Sequence, residues 1–171
     1  MTSARPGPVF WAAWLLATAT TGIVAGFFLG HALLLGRFLD WMLASGNPAL
    51  LPSTYPVFRT SAGRVALDVY YAVAGLQVLA GLAFLAVALA TRRQRAMAAI
   101  AALGSVGWPL VHYGSGFGAV EAAVLRSTVP AAPETVRTFL SVNLPIHMFH
   151  ALALTLALVA LLMVPVAILR R

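Results

Sequence analysis

Four apolar stretches, each longer than the 18 residues that mark a membrane helix, leave this chain little choice of fold. They cover about residues 10–36, 65–91, 96–125 and 138–168. A hydrocarbon core about 30 Å thick needs about 20 helical residues at about 1.5 Å each. Inside lipid the backbone must satisfy its own polar groups, which helices do within one segment. Of the 171 residues 61% are hydrophobic and only 9% charged, against about 25% charged in soluble domains. Nearly every residue belongs to a span, so a separate soluble domain has no room. The expected fold class is all-α, a single four-transmembrane-helix bundle over residues 1–171.

The net charge of +7 comes from arginine alone, since the chain has no lysine. The arginines stand at span ends, where they flank membrane helices, so no nucleic-acid partner is expected. Arg92, Arg93 and Arg95 crowd the link between spans two and three, Arg5 precedes span one, and Arg170 and Arg171 follow span four. The other side carries Arg37, Arg59, Arg64, Arg126 and Arg137. The totals are nearly even, and the density at Arg92–Arg95 decides the orientation. A multi-pass protein of the cell membrane with both termini cytoplasmic is expected. Without cysteine there is no disulfide and no thiolate metal site. Ala17-Thr18-Ala19 resembles a signal-peptide cleavage pattern, but the apolar run continues to about Leu35, so span one reads as an anchor.

The first outer connection, Asp40 to Gly63, mixes Pro48, Pro52 and Pro56 with Trp41, Tyr55 and Phe58. Prolines interrupt helices, so an irregular loop is expected, either a lid over the bundle or a connector lying on the headgroups. The second, Ser127 to Thr138, reads as a turn.

All four histidines fall towards the outer side of the bundle when the spans are threaded through a bilayer. Each of His31, His112, His147 and His150 sits in an apolar stretch, where polar side chains are costly. Asn143, His147 and His150 follow at i, i+4 and i+7 and therefore share one stripe of span four, beside Pro145. Ser105, Trp108, His112 and Ser115 share a face of span three. Glu121, nine residues past His112, falls on the opposite face of a straight helix and joins the histidines only if the Gly114, Gly116, Gly118 stretch bends. In span two Asp68 lies four residues after Arg64, which favours an interfacial ion pair between them over a place in the site; Tyr71 stands one turn deeper, and Gln77 should face another helix.

Imidazoles at one depth suit metal binding or proton transfer, and bundle cores are common places for such sites. His31, His112, His147 and His150 are the candidate metal ligands, His147, His150 and Asn143 the candidate catalytic groups, and Asp68, Tyr71 and Trp108 the candidate substrate pocket. The Glu-x-x-His pairs of di-iron bundles are absent, which argues against that centre. Haem, iron, copper and a metal-free pocket all fit the residues. Thr18, Gly22, Gly26 and Gly30 repeat every four residues, a helix–helix seam within the bundle or towards a second copy or membrane partner.

The Gly-Ile-Val-Ala-Gly-Phe-Phe run from Gly22 to Phe28, the polar stretch late in span three and the Phe139-to-His150 entry into span four resemble a family. It is that of small four-helix membrane proteins grouped around the anthrone oxygenases of polyketide pathways. The resemblance covers about half the chain in pattern. It implies a membrane-bound oxygenase for hydrophobic aromatic substrates. Asn143, His147 and His150 replace the tryptophan and Asn-x-x-Arg-like element expected at the start of span four, so no catalytic residue carries over. Two functions follow from the sequence: an oxidoreductase working through the histidines, or a non-enzymatic accessory or scaffold subunit docked through the Thr18–Gly30 stripe.

Overall fold

The computed structural model describes residues 6–45 and 50–170. Among them lie α1 (Pro8–Gly30), a π-helical segment (His31–Leu35), α2 (Gly36–Ala44), α3 (Leu50–Thr60), α4 (Arg64–Ala90), α5 (Arg95–Gly114), α6 (Phe117–Leu125) and α7 (Pro133–Leu169). No strand occurs among the described residues. Four helical runs are long and apolar enough to cross a membrane: Pro8–Ala44, Arg64–Ala90, Arg95–Gly114 and Pro133–Leu169. This all-α architecture is that of an integral membrane protein.

The four long helices close a ring, with α1 packed on α4 and α7, and α5 packed on the same two. Large apolar side chains point outward from every one of them, among them Ile23, Leu79, Leu103 and Leu156, each at least 60% exposed. A soluble protein buries such residues, whereas a membrane helix turns them to lipid. Inside, three apolar layers stack along the bundle: around Phe10, Phe84 and Leu161, then around Phe28, Trp108 and Leu154, then around Leu39, Phe117 and Phe139.

Small residues bring the helices together, most closely at Gly81 and Gly104. A Cβ on Gly81 would run into the Ser105 side chain, and one on Gly104 would lie 2.7 Å from Ala157 and 2.9 Å from the Ala153 carbonyl. These glycines fix the α4–α5 and α5–α7 spacings. Of the three glycines in the Thr18–Gly30 stripe, Gly22 nears Leu158 at 3.9 Å, while Gly26 and Gly30 have nothing within 4 Å. Gln77 holds the same bundle by polarity. It is fully buried, donates to Ser105 Oγ at 2.7 Å and Thr21 Oγ1 at 3.3 Å, and accepts from Trp108 Nε1 at 3.2 Å.

Two expectations about the outer end are corrected. The proline-rich connection is helical rather than irregular in α2 and α3; Pro48 lies outside the described residues. Pro52 stands in the first turn of α3, where the backbone donors have no intrahelical acceptor, so its missing N–H removes nothing. Pro56 is accommodated within the helix. Span three is not one helix to residue 125: it stops at Gly114, and α6 starts at Phe117 after a turn in which Gly116 has φ 81°. Glycine adopts that left-handed conformation without the Cβ clash that bars other residues. Gly118 then permits a close return, since a Cβ there would lie 3.0 Å from Tyr113 and 3.3 Å from His112.

Candidate functional site

That return decides the site, because it folds α6 back over His112 and carries Glu121 into the bundle. One Glu121 carboxylate oxygen lies 3.6 Å from His112 Nε2, the other 3.8 Å from His147 Nε2, and the side chain is 20% exposed. The opposite-face expectation for a straight helix is overturned by the glycine turn. Asp68 goes the other way: it pairs with Arg64 at 3.9 Å, is 71% exposed, and does not line the cavity described below. Glu121, not Asp68, is the carboxylate of this site.

Three helical elements bring the histidines together. The π segment, closed by the Gly36 N–H bonding to the His31 carbonyl, offsets the run of α1 and presents the His31 ring to His147, stacked at 4.0 Å between centroids. Such single π turns cluster at functional sites. The buried face of α5 supplies His112, beyond Ser105 and Trp108, and α7 supplies Asn143, His147 and His150, the last three at most 3% exposed. The span-four stripe therefore points inward as its spacing requires.

Hydrogen bonding separates the roles of these groups. His147 Nδ1 lies 2.8 Å from the Asn143 carbonyl oxygen, which can only accept, so Nδ1 carries a proton and any lone pair of the ring is on Nε2. That lone pair faces the Glu121 carboxylate. Among the described residues no imidazole nitrogen makes a hydrogen bond to another helix: His31 Nε2, His112 Nδ1 and both nitrogens of His150 are buried without a partner. Each such orphan costs about 1–3 kcal/mol. Helix glue would have used these nitrogens, as Gln77 uses its amide. The Asn143 amide does act as a tie, donating to Asp40 Oδ1 at 2.8 Å and to the Gly36 carbonyl at 3.4 Å. It faces α2 rather than the cavity, and its Oδ1 has no partner.

Above the cluster opens a cavity of about 110 Å³. His31, His112, Glu121 and His147 line its floor; His150 lies behind them and does not reach it. Phe27, Phe28, Tyr70, Trp108 and Tyr113 wall it, with Phe27 and Tyr70 stacked at 3.8 Å. At the mouth Tyr71 Oη accepts from Arg59 at 3.1 Å and from Arg126 at 3.4 Å, which draws α3, α4 and the end of α6 together. Arg59 also lies 5.8 Å from the centroid of the Tyr55 ring. Burial lowers the Arg59 pKa, but the Tyr71 and Tyr55 hydroxyls outweigh it and raise the value. The cavity approaches the about 150 Å³ of an engineered cavity that binds benzene, so it has room for about one aromatic ring.

Of the expected pocket, Tyr71 and Trp108 are part and Asp68 is not. Sequence reasoning missed Tyr55, Arg59 and Arg126 as pocket residues. Their only signal was the interleaving of aromatics, prolines and arginines in the outer connections. No family model, curated protein or solved structure matches this chain.

Proposed function

We propose that this protein is a membrane-bound oxidoreductase of the oxygenase type, acting on a hydrophobic aromatic molecule that enters from the bilayer. One observation carries the reading: a ring-sized cavity with aromatic walls whose floor is three imidazoles and a carboxylate. Apolar pockets with a few convergent polar groups are the usual form of small-molecule sites. His112, on the floor with its Nε2 3.6 Å from Glu121, is the group that removes a proton from the bound ring, and Glu121 and the His147 ring oriented by the Asn143 carbonyl complete the floor it works against. Tyr70 and Phe27 hold the ring by stacking. A tricyclic anthrone is the substrate type implied by the family resemblance, and the cavity offers room for one of its rings.

In this reading both termini and the Arg92–Arg95 link face the cytoplasm, by arginine density. His112 stands 17 residues above Arg95, about 26 Å along the helix, and His150 stands 19 residues from Leu169, about 29 Å. The cluster then lies near the far edge of a core about 30 Å thick, within reach of the outer leaflet.

Proteoliposomes supplied with anthrone should consume oxygen and form anthraquinone, and His112→Ala should stop both. Turnover equal in wild type and His112→Ala would overturn the assignment. One observation favours a second reading, an accessory subunit: Gly26 and Gly30 lie open, so the small-residue stripe is free to seat another membrane helix. A disulfide-linked dimer of Gly26→Cys in native membranes would support it, and an inactive wild type would leave it in possession.

A further inference from the structure

We propose that the cluster holds a single divalent transition-metal ion, with His31, Glu121 and His147 as ligands, His112 as the fourth neighbour, and an open position facing the cavity. This rests on the proposed function and names the cofactor class of the same centre. With Nδ1–H on the Asn143 carbonyl and no second proton on the ring, His147 turns a lone pair towards a carboxylate oxygen 3.8 Å away, and His112 Nε2 stands 3.6 Å from the other oxygen. Both gaps exceed the about 2.7–3.2 Å of a hydrogen bond. A cation between the nitrogens and the carboxylate converts repulsion into coordination. A proton serves only one such pair and leaves the buried His31 Nε2 without a partner.

Two triads have donor atoms within 4.8 Å of one another: His31 with Glu121 and His147, and His112 with His147 and His150. They share His147. Its Nδ1 is engaged by the Asn143 carbonyl, so only Nε2 can bind and the two triads cannot each hold an ion. The triad with Glu121 is the better host, because its carboxylate offsets the positive charge at membrane depth, whereas three neutral imidazoles offset none. Access agrees with charge, since His31, Glu121, His147 and His112 all line the cavity and His150 does not. A metal site that works on a substrate keeps a coordination position open, and here that position faces the aromatic walls.

The Nδ1–H to carbonyl bond of His147 is the support that ligating histidines have in metal sites, fixing the tautomer and ring orientation. Imidazole with one carboxylate suits iron(II), copper(II) or zinc, and there is no thiolate to select otherwise. Haem does not suit this floor, because space for about one ring falls far short of a macrocycle of four pyrroles.

The test is a Co²⁺ titration of tag-free, chelator-stripped protein in mild detergent, followed by the visible absorption of bound cobalt. The absorption should saturate at one equivalent. Glu121→Gln and His147→Ala should weaken binding by about 100-fold or more, while His150→Ala should bind within about threefold of wild type. Failure of wild type to take up one equivalent would overturn the inference. So would loss of binding in His150→Ala with Glu121→Gln unaffected, which would move the ion to the all-histidine triad. Glu121→Gln keeps the side-chain shape, and circular dichroism with gel filtration confirms that each variant is folded. Binding of 1-naphthol to the metal-free protein is measured in parallel. Naphthol binding without cobalt binding sinks the metal and spares the aromatic pocket; cobalt binding without naphthol binding does the reverse.

Discussion

Replacing Gln77 by leucine removes the polar tie of the bundle while leaving its volume almost unchanged. The wild-type amide makes three bonds across helices, to Ser105, Thr21 and Trp108. Ser105 retains its bond to the Ala101 carbonyl, and Trp108 Nε1 loses its acceptor. Side-chain hydrogen bonds between membrane helices average about 0.6 kcal/mol each, so three amount to about 2 kcal/mol. That is a factor of about 30 in the folding equilibrium. Reversible unfolding in mixed micelles of mild detergent and dodecyl sulfate, followed by far-ultraviolet circular dichroism, measures the loss. Adding Trp108→Phe removes the orphaned N–H, so the double variant should lose less than the sum of the two singles. A loss under about 0.5 kcal/mol, or strict additivity, would refute the reasoning.

Three further outcomes follow. Gly118→Val places a branched side chain where a Cβ already meets Tyr113 at 3.0 Å, so α6 must lift and take Glu121 with it; Co²⁺ affinity should fall with helix content unchanged. Asn143→Ala breaks the ties to Asp40 and Gly36 but keeps the backbone carbonyl that orients His147. It should cost about 1 kcal/mol of stability and leave Co²⁺ affinity within about threefold. A membrane-impermeant thiol reagent added outside cells should modify Ser53→Cys and spare Gln94→Cys; the reverse pattern would invert the proposed orientation.

The bundle was legible because a bilayer demands length and apolarity, and both are one-dimensional properties of the chain. The inward stripe of Asn143, His147 and His150 and the buried Gln77 were legible for a similar reason, since helical periodicity fixes the face and lipid disfavours polar groups. Glu121 was not. The Gly114, Gly116, Gly118 pattern announced a weak point, but the direction of the chain after it depends on Gly116 reaching φ 81° and on α6 packing against Tyr113 and His112. Asp68 makes the local pair with Arg64 that their four-residue spacing favours, and so stays out of the pocket that its depth suggested. The glycines that set the spacings inside the bundle were not singled out, because spacing shows where backbones can approach, not where they do. The close contacts at Gly81 and Gly104 depend on which helices the ring makes neighbours. The lid side of the cavity was hidden by prolines that the first turn and interior of α3 accommodate.

X-ray absorption at the zinc edge of tag-free protein loaded with one equivalent of Zn²⁺ reads the ligand set itself. A nitrogen and oxygen shell at about 2.0–2.2 Å with the outer-shell scattering of imidazole rings is expected, reduced in His31→Ala and His147→Ala. A shell of oxygen alone, without imidazole scattering, would mean that the ion sits elsewhere and that the cluster is not a metal centre.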